Sequence, residues 1–245
     1  MKNASLLSRP FAHRGLHDLH AGVPENSMAA FRLAVDNGYA IELDVRLLGD
    51  GNVVVFHDAT LDRMTNRTGY VLALNSGQLS SLPLLGTQET PPLLSDTLNM
   101  VRGRVPLYVE IKNGNRPGRL EQQVLALLNR YLTQYGGSLA VASFNPLVLA
   151  WFRRRAPHLL RVQITGNYGL RGLWLNEGPA AMNWPLVALG QPHALSVALN
   201  ALGTPMVGAW RCQGKPVMTW TVRTQTDLER AHKFADAYVF EGLRP

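Results

Sequence analysis

A short apolar run followed by an amphipathic stretch recurs along the chain, and this alternation restricts the possible folds more than any other sequence feature. The pattern is typical of βα units that build a parallel sheet. The candidate strands are Pro10–His13, Ala40–Leu47, Leu107–Lys112, Leu139–Phe144, Leu160–Thr165, Ala194–Leu199, Val217–Val222 and Ala237–Phe240. Eight such strands within 245 residues predict an α/β fold, a (β/α)8 TIM barrel. A doubly wound open sheet is disfavoured because no glycine-rich phosphate loop follows the first strand.

The segments between these strands contain helical patterns of uneven clarity. We predict a helix over Asn26–Asn37, capped by Asn26, because apolar residues recur at helical spacing and Gly38 follows. Further helices are predicted over Arg119–Tyr135, Pro146–Arg155 and Thr226–Phe234. The stretch Gly169–Leu189 is ambiguous because Gly, Pro and two Trp residues interrupt its periodicity.

The stretch Leu48–Leu94 does not fit the simple alternation, because it is rich in Gly, Thr, Asn and Pro. Asp50-Gly51 is a hairpin signal, so Val53–Phe56 is predicted to pair with the end of the preceding strand. We interpret Leu48–Leu94 as an insertion on the C-terminal face of a single barrel domain, residues 1–245. We expect this insertion to cover the strand ends and to help select small substrates.

Charge and cysteine content limit the classes of function. Lys and Arg number 24 against 17 Asp and Glu, a formal net charge of +7 that favours anionic partners. The single cysteine, Cys212, excludes an internal disulfide framework and a cysteine-rich zinc module. The first residues lack the apolar core of a secretory signal, and no apolar run is long enough for a membrane-spanning helix. We therefore expect a cytoplasmic protein without stable membrane insertion.

Three carboxylates stand at predicted strand ends, where barrel active sites lie. Glu42 and Asp44 are two residues apart and share one face of their strand, as do Glu110 and Lys112. Carboxylates that converge inside a barrel repel one another unless a positive charge holds them. Because oxygen ligands select a hard divalent cation, Mg²⁺ or Ca²⁺, we predict a metal site at Glu42, Asp44 and Glu110. The alternative is a structural ion network with Arg14 and Lys112.

Two histidines also stand at the ends of apolar runs. His13 ends the first strand beside Arg14 and a permissive Gly15, and His57 ends the inserted run VVVFHD. A pair of imidazoles can act as general base and general acid near neutral pH, so we predict that these two are catalytic. Asp58 either orients the imidazole of His57 or caps the turn that follows. His17 and the other histidines lack comparable settings, and we assign them no role.

Six short motifs follow one another in a distinctive order. They are AHRG at Ala12–Gly15, PEN at Pro24–Asn26, ELDV at Glu42–Val45, DGNVVVFHDATLDRMT at Asp50–Thr65, PPLLSDTL at Pro91–Leu98 and VEIK at Val109–Lys112. In this order they resemble the glycerophosphodiester phosphodiesterase family, and TWTVRT at Thr219–Thr224 resembles the Trp-containing seventh strand of that family. The resemblance spans nearly the whole chain and implies a (β/α)8 barrel with a small insertion after the second strand.

The resemblance also implies a function and a role for each matching residue. It implies metal-dependent hydrolysis of small-molecule glycerophosphodiesters to glycerol 3-phosphate and an alcohol, with one divalent cation, Mg²⁺ or Ca²⁺. The implied roles are acid–base catalysis for His13 and His57, phosphate contact for Arg14 and Lys112, and metal ligation for Glu42, Asp44 and Glu110. Trp220 either packs in the core or contacts the carbon atoms of the substrate.

Three positions depart from the family pattern. Ser27 stands where PENT has its threonine, and it keeps a hydroxyl. Arg223 replaces the common Asn after the TWTV motif, so a substrate contact there is in doubt. Glu241 follows Phe240 where the family often has Thr-Asp, and it either replaces that Asp functionally or decorates the rim of the barrel. The spacing leaves open whether Glu25 contacts the metal or the glycerol.

Two other functions stay open on the sequence. A lysophospholipase D-like enzyme acting on lysolipids would need an apolar acyl channel, which Trp174, Leu175, Met182 and Trp184 could line. A basic protein that binds nucleic acid or acidic lipid would explain the net charge of +7, but strand-end carboxylates would repel such a ligand. We therefore expect a small-molecule substrate and no nucleic acid partner, and we make no prediction of the oligomeric state.

Overall fold

The computed structural model describes residues 6–7, 9–166 and 184–245, and these contain nine strands in one sheet. The strands are β1 (Phe11–Ala12), β2 (Ala40–Leu47), β3 (Val53–Val55), β4 (Leu107–Ile111), β5 (Leu139–Ser143), β6 (Leu160–Thr165), β7 (Ala194–Ala198), β8 (Val217–Val222) and β9 (Ala237–Phe240). Strand β1 pairs in parallel with both β2 and β9, which closes eight parallel strands into a barrel. The predicted (β/α)8 architecture is confirmed, and each predicted strand forms within one residue of its expected ends.

Strand β3 lies outside the closed barrel. It pairs antiparallel with the end of β2, where Val45 stands opposite Val55. The turn between the two strands carries Gly51 at a φ of 92°, a conformation that glycine adopts without steric cost. The hairpin predicted from the Asp50-Gly51 signal is therefore confirmed.

Helices cover the outer faces of the strands and bury an apolar layer against them. They are α1 (Met28–Asp36), α2 (Leu94–Val101), α3 (Arg119–Tyr135), α4 (Pro146–Arg155), α5 (Trp184–Gly190), α6 (Pro205–Arg211) and α7 (Gln225–Phe234). The predictions for α3, α4 and α7 hold to within one residue. Helices α2 and α6 have only eight and seven residues, too few to show a helical period in the sequence. Most of the ambiguous stretch Gly169–Leu189 lies outside the described residues.

None of the helices in the described part of the chain is long and apolar enough to cross a membrane. The longest of them, α3, has 17 residues, whereas a hydrocarbon core of about 30 Å needs about 20. The expected cytoplasmic location stays a prediction.

The start of α1 corrects one prediction. The N-cap is Ser27 rather than Asn26, because the Ser27 hydroxyl accepts a hydrogen bond from the backbone N–H of Ala30 at 3.1 Å. Asn26 has a φ of 52°, outside the extended region that capping residues adopt. The side-chain amide of Asn26 does not cap the helix and instead donates a hydrogen bond to the carboxylate of Asp44.

Alternation along the strands separates the inside of the barrel from the layer under the helices. Ala40 and Tyr108 belong to the apolar cluster inside the barrel. Glu42 follows Ala40, and Glu110 follows Tyr108, at the two-residue spacing that returns a side chain to the same face. The carboxylates of β2 and β4 therefore point into the barrel, as the strand pattern predicts.

The segment after β2 has a small apolar core of its own. Its buried members are Leu48, Val54, Phe56, Leu61, Met64, Val71, Leu74, Leu79, Leu82 and Leu84. Short 3-10 helices at Val71–Ala73 and Ser76–Ser81 contribute to this core. Leu82 and Leu84 are 0% and 1% exposed, so the segment is packed rather than loose, despite its content of Gly, Asn and Pro.

Candidate active site

The three predicted metal-ligating carboxylates meet inside the barrel. Asp44 stands beside Glu110 in the register of the paired strands β2 and β4. One oxygen from each of Glu42, Asp44 and Glu110 lies within 4.8 Å of the other two. The three residues are 3%, 1% and 8% exposed, so the cluster is almost wholly removed from solvent. We call these three residues the carboxylate cluster.

A cation and an amide bind two members of the carboxylate cluster. Lys112 Nζ lies 3.1 Å from Asp44 Oδ1 and 2.6 Å from Glu110 Oε1. Asn26 donates from Nδ2 to Asp44 Oδ2 at 2.9 Å, and Arg14 Nε lies 3.5 Å from the same oxygen. The ion network expected as the alternative to a metal site therefore exists around Asp44 and Glu110.

Glu42 is the member of the cluster that has no direct salt bridge in this network. Its Oε2 accepts a hydrogen bond from the backbone N–H of Arg14 at 2.8 Å, but no Lys or Arg side chain in the described part of the chain forms a salt bridge with it. Burial raises the pKa of Glu42 well above its usual value, and the charges of Asp44 and Glu110 raise it further, while the backbone N–H and the charge of Arg14 act in the opposite direction. For Asp44, burial also favours a raised pKa, but Lys112 and other nearby cations lower it overall.

The carboxylate cluster fits a hard divalent cation. A buried carboxylate without a partner is costly, and a metal ion is one of the few groups that can neutralise it there. All the side-chain donors of the cluster are oxygens, which are the ligands that Mg²⁺ and Ca²⁺ prefer. Zinc more often binds nitrogen and sulfur donors. The salt bridges of the ion network reach Asp44 and Glu110 but not Glu42, so the network alone is an incomplete explanation of the cluster.

His57 lies just beyond β3 and is tied to β2. Its backbone carbonyl accepts a hydrogen bond from Arg46 Nε at 2.7 Å. Its Nδ1 lies 2.6 Å from Asp58 Oδ1, so of the two alternatives for Asp58 the contact with the imidazole is the one observed. Burial lowers the pKa of His57, while the charge of Asp44 acts in the opposite direction. His57 therefore belongs to the electrostatic surroundings of the carboxylate cluster.

His13 follows β1 and contacts the residue that follows β9. Its Nδ1 is in contact with Oε2 of Glu241, and its backbone N–H donates to the carbonyl of Phe240 at 2.9 Å. Oε1 of Glu241 also accepts a hydrogen bond from Arg223 Nε at 2.8 Å. These contacts, the hydrogen bond with His13 first, lower the pKa of Glu241 to about 2. Glu241 therefore contacts the imidazole of His13 and does not only line the rim of the barrel.

Arg63, which the motif analysis did not single out, links the inserted segment to the barrel. Its Nε donates to Asp58 Oδ2 at 2.6 Å, and its Nη1 and Nη2 donate to Glu25 at 2.9 and 2.7 Å. Glu25 also accepts a hydrogen bond from Arg14 Nη1 at 2.7 Å. A chain of ion pairs thus joins the carboxylate that holds His57 to Arg14. The sequence signal for this link is the position of Arg63 in the run DATLDRMT.

Trp220 is half-buried in the barrel. Its Nε1 donates to the carbonyl of Ser196 at 3.3 Å, and its ring meets Phe144 edge-on with centroids 5.7 Å apart. The ring also packs against the apolar cluster inside the barrel. Core packing, one of the two alternatives for Trp220, is therefore observed, and its contact with substrate stays a prediction.

The acyl channel required by the lysolipid alternative falls in a part of the chain that is not described. Trp174, Leu175 and Met182 lie within residues 167–183, outside the described residues. Trp184 begins α5, but its side chain is also outside the description. The channel hypothesis is therefore untested.

Comparison with known proteins identifies relatives along nearly the whole chain. The glycerophosphoryl diester phosphodiesterase family model matches residues 13–242. A glycerophosphodiester phosphodiesterase of Caldanaerobacter subterraneus is 29% identical over 91% of this chain and 88% of its own length. Glycerophosphodiester phosphodiesterase 1 of Bos taurus is 45% identical over 87% of this chain and 71% of its own length.

A solved structure shares the fold as well. It is the structure of an Oleispira antarctica phosphodiesterase in complex with the product sn-glycerol-3-phosphate. That protein is 25% identical to this chain, and the two superimpose with a TM-score of 0.75 over 95% of this chain and 92% of that one. The matched range of the family model contains both histidines and the whole carboxylate cluster. The chain therefore belongs to the glycerophosphoryl diester phosphodiesterase family.

Proposed function

We propose that this chain hydrolyses glycerophosphodiesters to glycerol 3-phosphate and an alcohol. The observation that carries the proposal is a pair of imidazoles, each held at Nδ1 by a carboxylate. The charge of Asp44 acts on His57, and Arg14, the residue after His13, donates its backbone N–H to Glu42 of the buried carboxylate cluster. The activity named for the relatives and the sn-glycerol-3-phosphate bound by the Oleispira antarctica protein support the same reaction.

Positive charge at the site would bind the phosphate and stabilise it during the reaction. Glu42, Asp44 and Glu110 would hold one divalent cation, Mg²⁺ or Ca²⁺. When bound, this cation supplies Lewis-acid stabilisation of the negative charge on the phosphoryl oxygens. Arg14 and Lys112, which lie against Asp44, would bind the same phosphate group. Fixed positive charges aimed at the oxygens where charge develops lower the barrier without reorganisation.

The two histidines would move the protons. A carboxylate engages Nδ1 of each ring, so Nε2 is the atom that exchanges a proton with the substrate. One Nε2 accepts the proton of the nucleophile, which is water or the neighbouring glycerol hydroxyl, and the other donates a proton to the departing alcohol oxygen. Glu241 and Asp58 stabilise the imidazolium forms and keep each ring in the required tautomer.

The inserted segment would belong to the same domain and cover the site. Residues 48–94 carry His57, and Arg63 ties them to Glu25 of the barrel. A cover of this kind would favour small diesters over substrates with long chains. Trp220 would pack against the carbon atoms of the bound diester, and the enzyme would act in the cytoplasm.

A panel of substrates tests the proposal. We expect release of glycerol 3-phosphate from glycerophosphodiesters with choline, ethanolamine or another small alcohol, and slower hydrolysis of a lysolipid. Glu110→Gln should remove this activity, whereas Glu229→Gln, an exposed glutamate of α7, should keep it. Faster turnover of the lysolipid would favour a lysophospholipase D-like enzyme, and no turnover of either class would overturn the proposal.

A further inference from the structure

A second group of candidate metal ligands shares no residue with the carboxylate cluster. His13 and His17 belong to the loop after β1, and Glu241 follows β9. One ligand atom from each of the three lies within 4.8 Å of the other two. We call this group the His–His–Glu cluster.

His17 supplies the observation that points to a ligand. Its Nε2 is buried and has no hydrogen-bond partner among the described residues, whereas buried polar atoms are almost always paired. The loop around it is fixed, because the backbone N–H of Leu16 donates to the carbonyl of Ala30 at 3.0 Å and that of Asp18 to Val23 at 2.9 Å. A buried imidazole nitrogen without a partner, on a side chain grouped with a histidine and a carboxylate, is a donor of the kind that a metal site needs.

The donor set differs in kind from that of the carboxylate cluster. Two imidazoles and one carboxylate are ligands of zinc-class ions, whereas Mg²⁺ and Ca²⁺ select oxygen donors. Tetrahedral ligation with bonds of about 2.0–2.1 Å sets the ligand atoms about 3.3 Å apart. The ligand atoms of the His–His–Glu cluster lie within 4.8 Å of one another, so binding a metal would require adjustments of an ångström or so between them. Three protein ligands leave a fourth position for water.

We propose that His13, His17 and Glu241 form a second metal site, selective for a zinc-class divalent cation, whose occupation inhibits the enzyme. The inhibition rests on the proposed function, in which His13 is one of the acid–base pair. On binding, the metal takes the lone pair of His13 Nδ1, and Glu241 exchanges its hydrogen bond for ligation. From the imidazolium the Nδ1 proton passes to solvent and the second proton stays on Nε2, whereas in the neutral ring the single proton moves from Nδ1 through solvent to Nε2. In both cases Nε2 carries a proton, so the ring has no lone pair for a base and is a weak acid.

Direct binding of Co²⁺, a spectroscopic substitute for zinc, tests the site in the full chain. A large excess of Mg²⁺ occupies the carboxylate cluster while Co²⁺ is added and its visible absorption is recorded. We expect one equivalent of Co²⁺ to bind, with the absorption of nitrogen-ligated cobalt, and we expect added Zn²⁺ to remove this absorption. Absence of binding, or a spectrum without nitrogen ligation, overturns the proposal.

His17→Asn removes one ligand and leaves both catalytic histidines in place. The matched control is His158→Asn, because His158 is exposed and bonded to Asn129 on the outside of the barrel. We expect Co²⁺ affinity and sensitivity to Zn²⁺ inhibition each to fall by at least about tenfold in His17→Asn. Neither quantity should change in the control, and basal kcat/KM should be unchanged in both variants. Equal Co²⁺ affinity in His17→Asn and wild type overturns the site. If His17→Asn does not fold, Glu241→Gln, measured for Co²⁺ affinity alone, replaces it.

Glu110→Gln separates this proposal from the proposed function. The variant lacks one ligand of the carboxylate cluster, so it should lose hydrolysis and still bind Co²⁺ at the His–His–Glu cluster. Loss of the Co²⁺ signal in Glu110→Gln would place the cobalt in the carboxylate cluster and overturn the second site. If wild-type protein binds Co²⁺ but hydrolyses no diester, the proposed function and the proposed inhibition are both overturned. The second metal site itself would still be supported.

Discussion

His13 and Glu241 lie 228 positions apart in the chain, and Nδ1 of the histidine contacts Oε2 of the glutamate. Barrel closure explains the contact, because Ala12 pairs with Phe240 in the register of β1 and β9 and the next residue of each strand emerges beside the other. Arg223, which follows β8, holds the far oxygen of Glu241 at 2.8 Å. Two positions that depart from the family pattern therefore form one ion pair that supports His13.

Glu241→Gln tests this support. The amide keeps a hydrogen-bond acceptor beside His13 but removes the charge that stabilises the imidazolium, so we expect kcat to fall about 10- to 100-fold, part of the roughly 10²–10⁴-fold that acid–base groups contribute. Arg223→Ala should have a smaller effect in the same direction, since Glu241 keeps its contact with His13. Steady-state kinetics measures kcat in these variants, with Glu229→Gln as the control. An unchanged kcat in Glu241→Gln would contradict the proposal that Glu241 positions the imidazole of His13.

Removal of either imidazole should affect chemistry rather than folding. We expect His13→Ala and His57→Ala each to lower kcat by roughly 10²–10⁴-fold. The content of Mg²⁺ or Ca²⁺ should stay near the wild-type level, because neither side chain belongs to the carboxylate cluster. Circular dichroism, elemental analysis and turnover, with the exposed His20→Ala as control, check these outcomes. Near wild-type turnover in both variants would mean that the acid–base assignment is wrong.

Glu25 should make stability depend on pH. Burial favours a raised pKa, but the hydrogen bonds and charges of Arg63 and Arg14 lower the pKa of Glu25 below the usual 4.5. A carboxyl with a lower pKa in the folded state stabilises the fold above the unfolded pKa, and this contribution is lost as the pH falls through the folded value. Glu25→Gln should therefore lower the free energy of unfolding at neutral pH.

The difference in the free energy of unfolding between wild type and Glu25→Gln should shrink as the pH falls below about 4.5. Urea unfolding at several pH values measures it, and Glu229→Gln, which lacks these arginine partners, gives the reference. A difference that is constant from neutral to acidic pH contradicts the role of the Arg63–Glu25–Arg14 pairs.

The covering role of the inserted segment is best tested at an exposed residue. Substitutions at Leu82 or Leu84 would disturb the core of the segment, whereas Tyr70 is 67% exposed and bridges to Thr60, close to His57 in the chain. Tyr70→Ala should change the ratio of lysolipid to small-diester turnover and leave metal affinity unchanged. Phe234→Ala, an exposed aromatic of α7, is the control. An equal ratio in Tyr70→Ala and wild type would favour a passive segment that only carries His57.

The strands of the barrel could be predicted because each is a buried apolar run whose ends are marked by turn residues. The cap of α1 could not, because Asn26 and Ser27 are both good capping types and only the backbone conformation decides between them. The short helices α2 and α6 complete too few turns to leave a pattern. Local sequence signals therefore predict the strands and the longer helices. The N-cap of α1 and the short helices depend on backbone conformation and tertiary packing.

The carboxylate cluster could be predicted from the two-residue period of β2 and β4 together with the barrel that brings their inward faces close. The partners of the site could not be predicted in the same way. Glu241 reaches His13 only through the pairing of the first and last strands, and Arg63 reaches Glu25 only through the packing of the inserted segment. The orphaned nitrogen of His17 likewise depends on three-dimensional surroundings that a single sequence does not record.

We propose that hydrolysis depends on a divalent cation held by the carboxylate cluster. Glu42→Gln tests it most directly, because Glu42 has no salt bridge in the described part of the chain and its replacement leaves the pairs of Lys112 with Asp44 and Glu110 intact. We predict that chelator-treated wild type is inactive and regains activity with Mg²⁺ or Ca²⁺, whereas folded Glu42→Gln retains little metal and stays inactive. Full hydrolysis by wild type shown to be metal-free by elemental analysis would contradict the account.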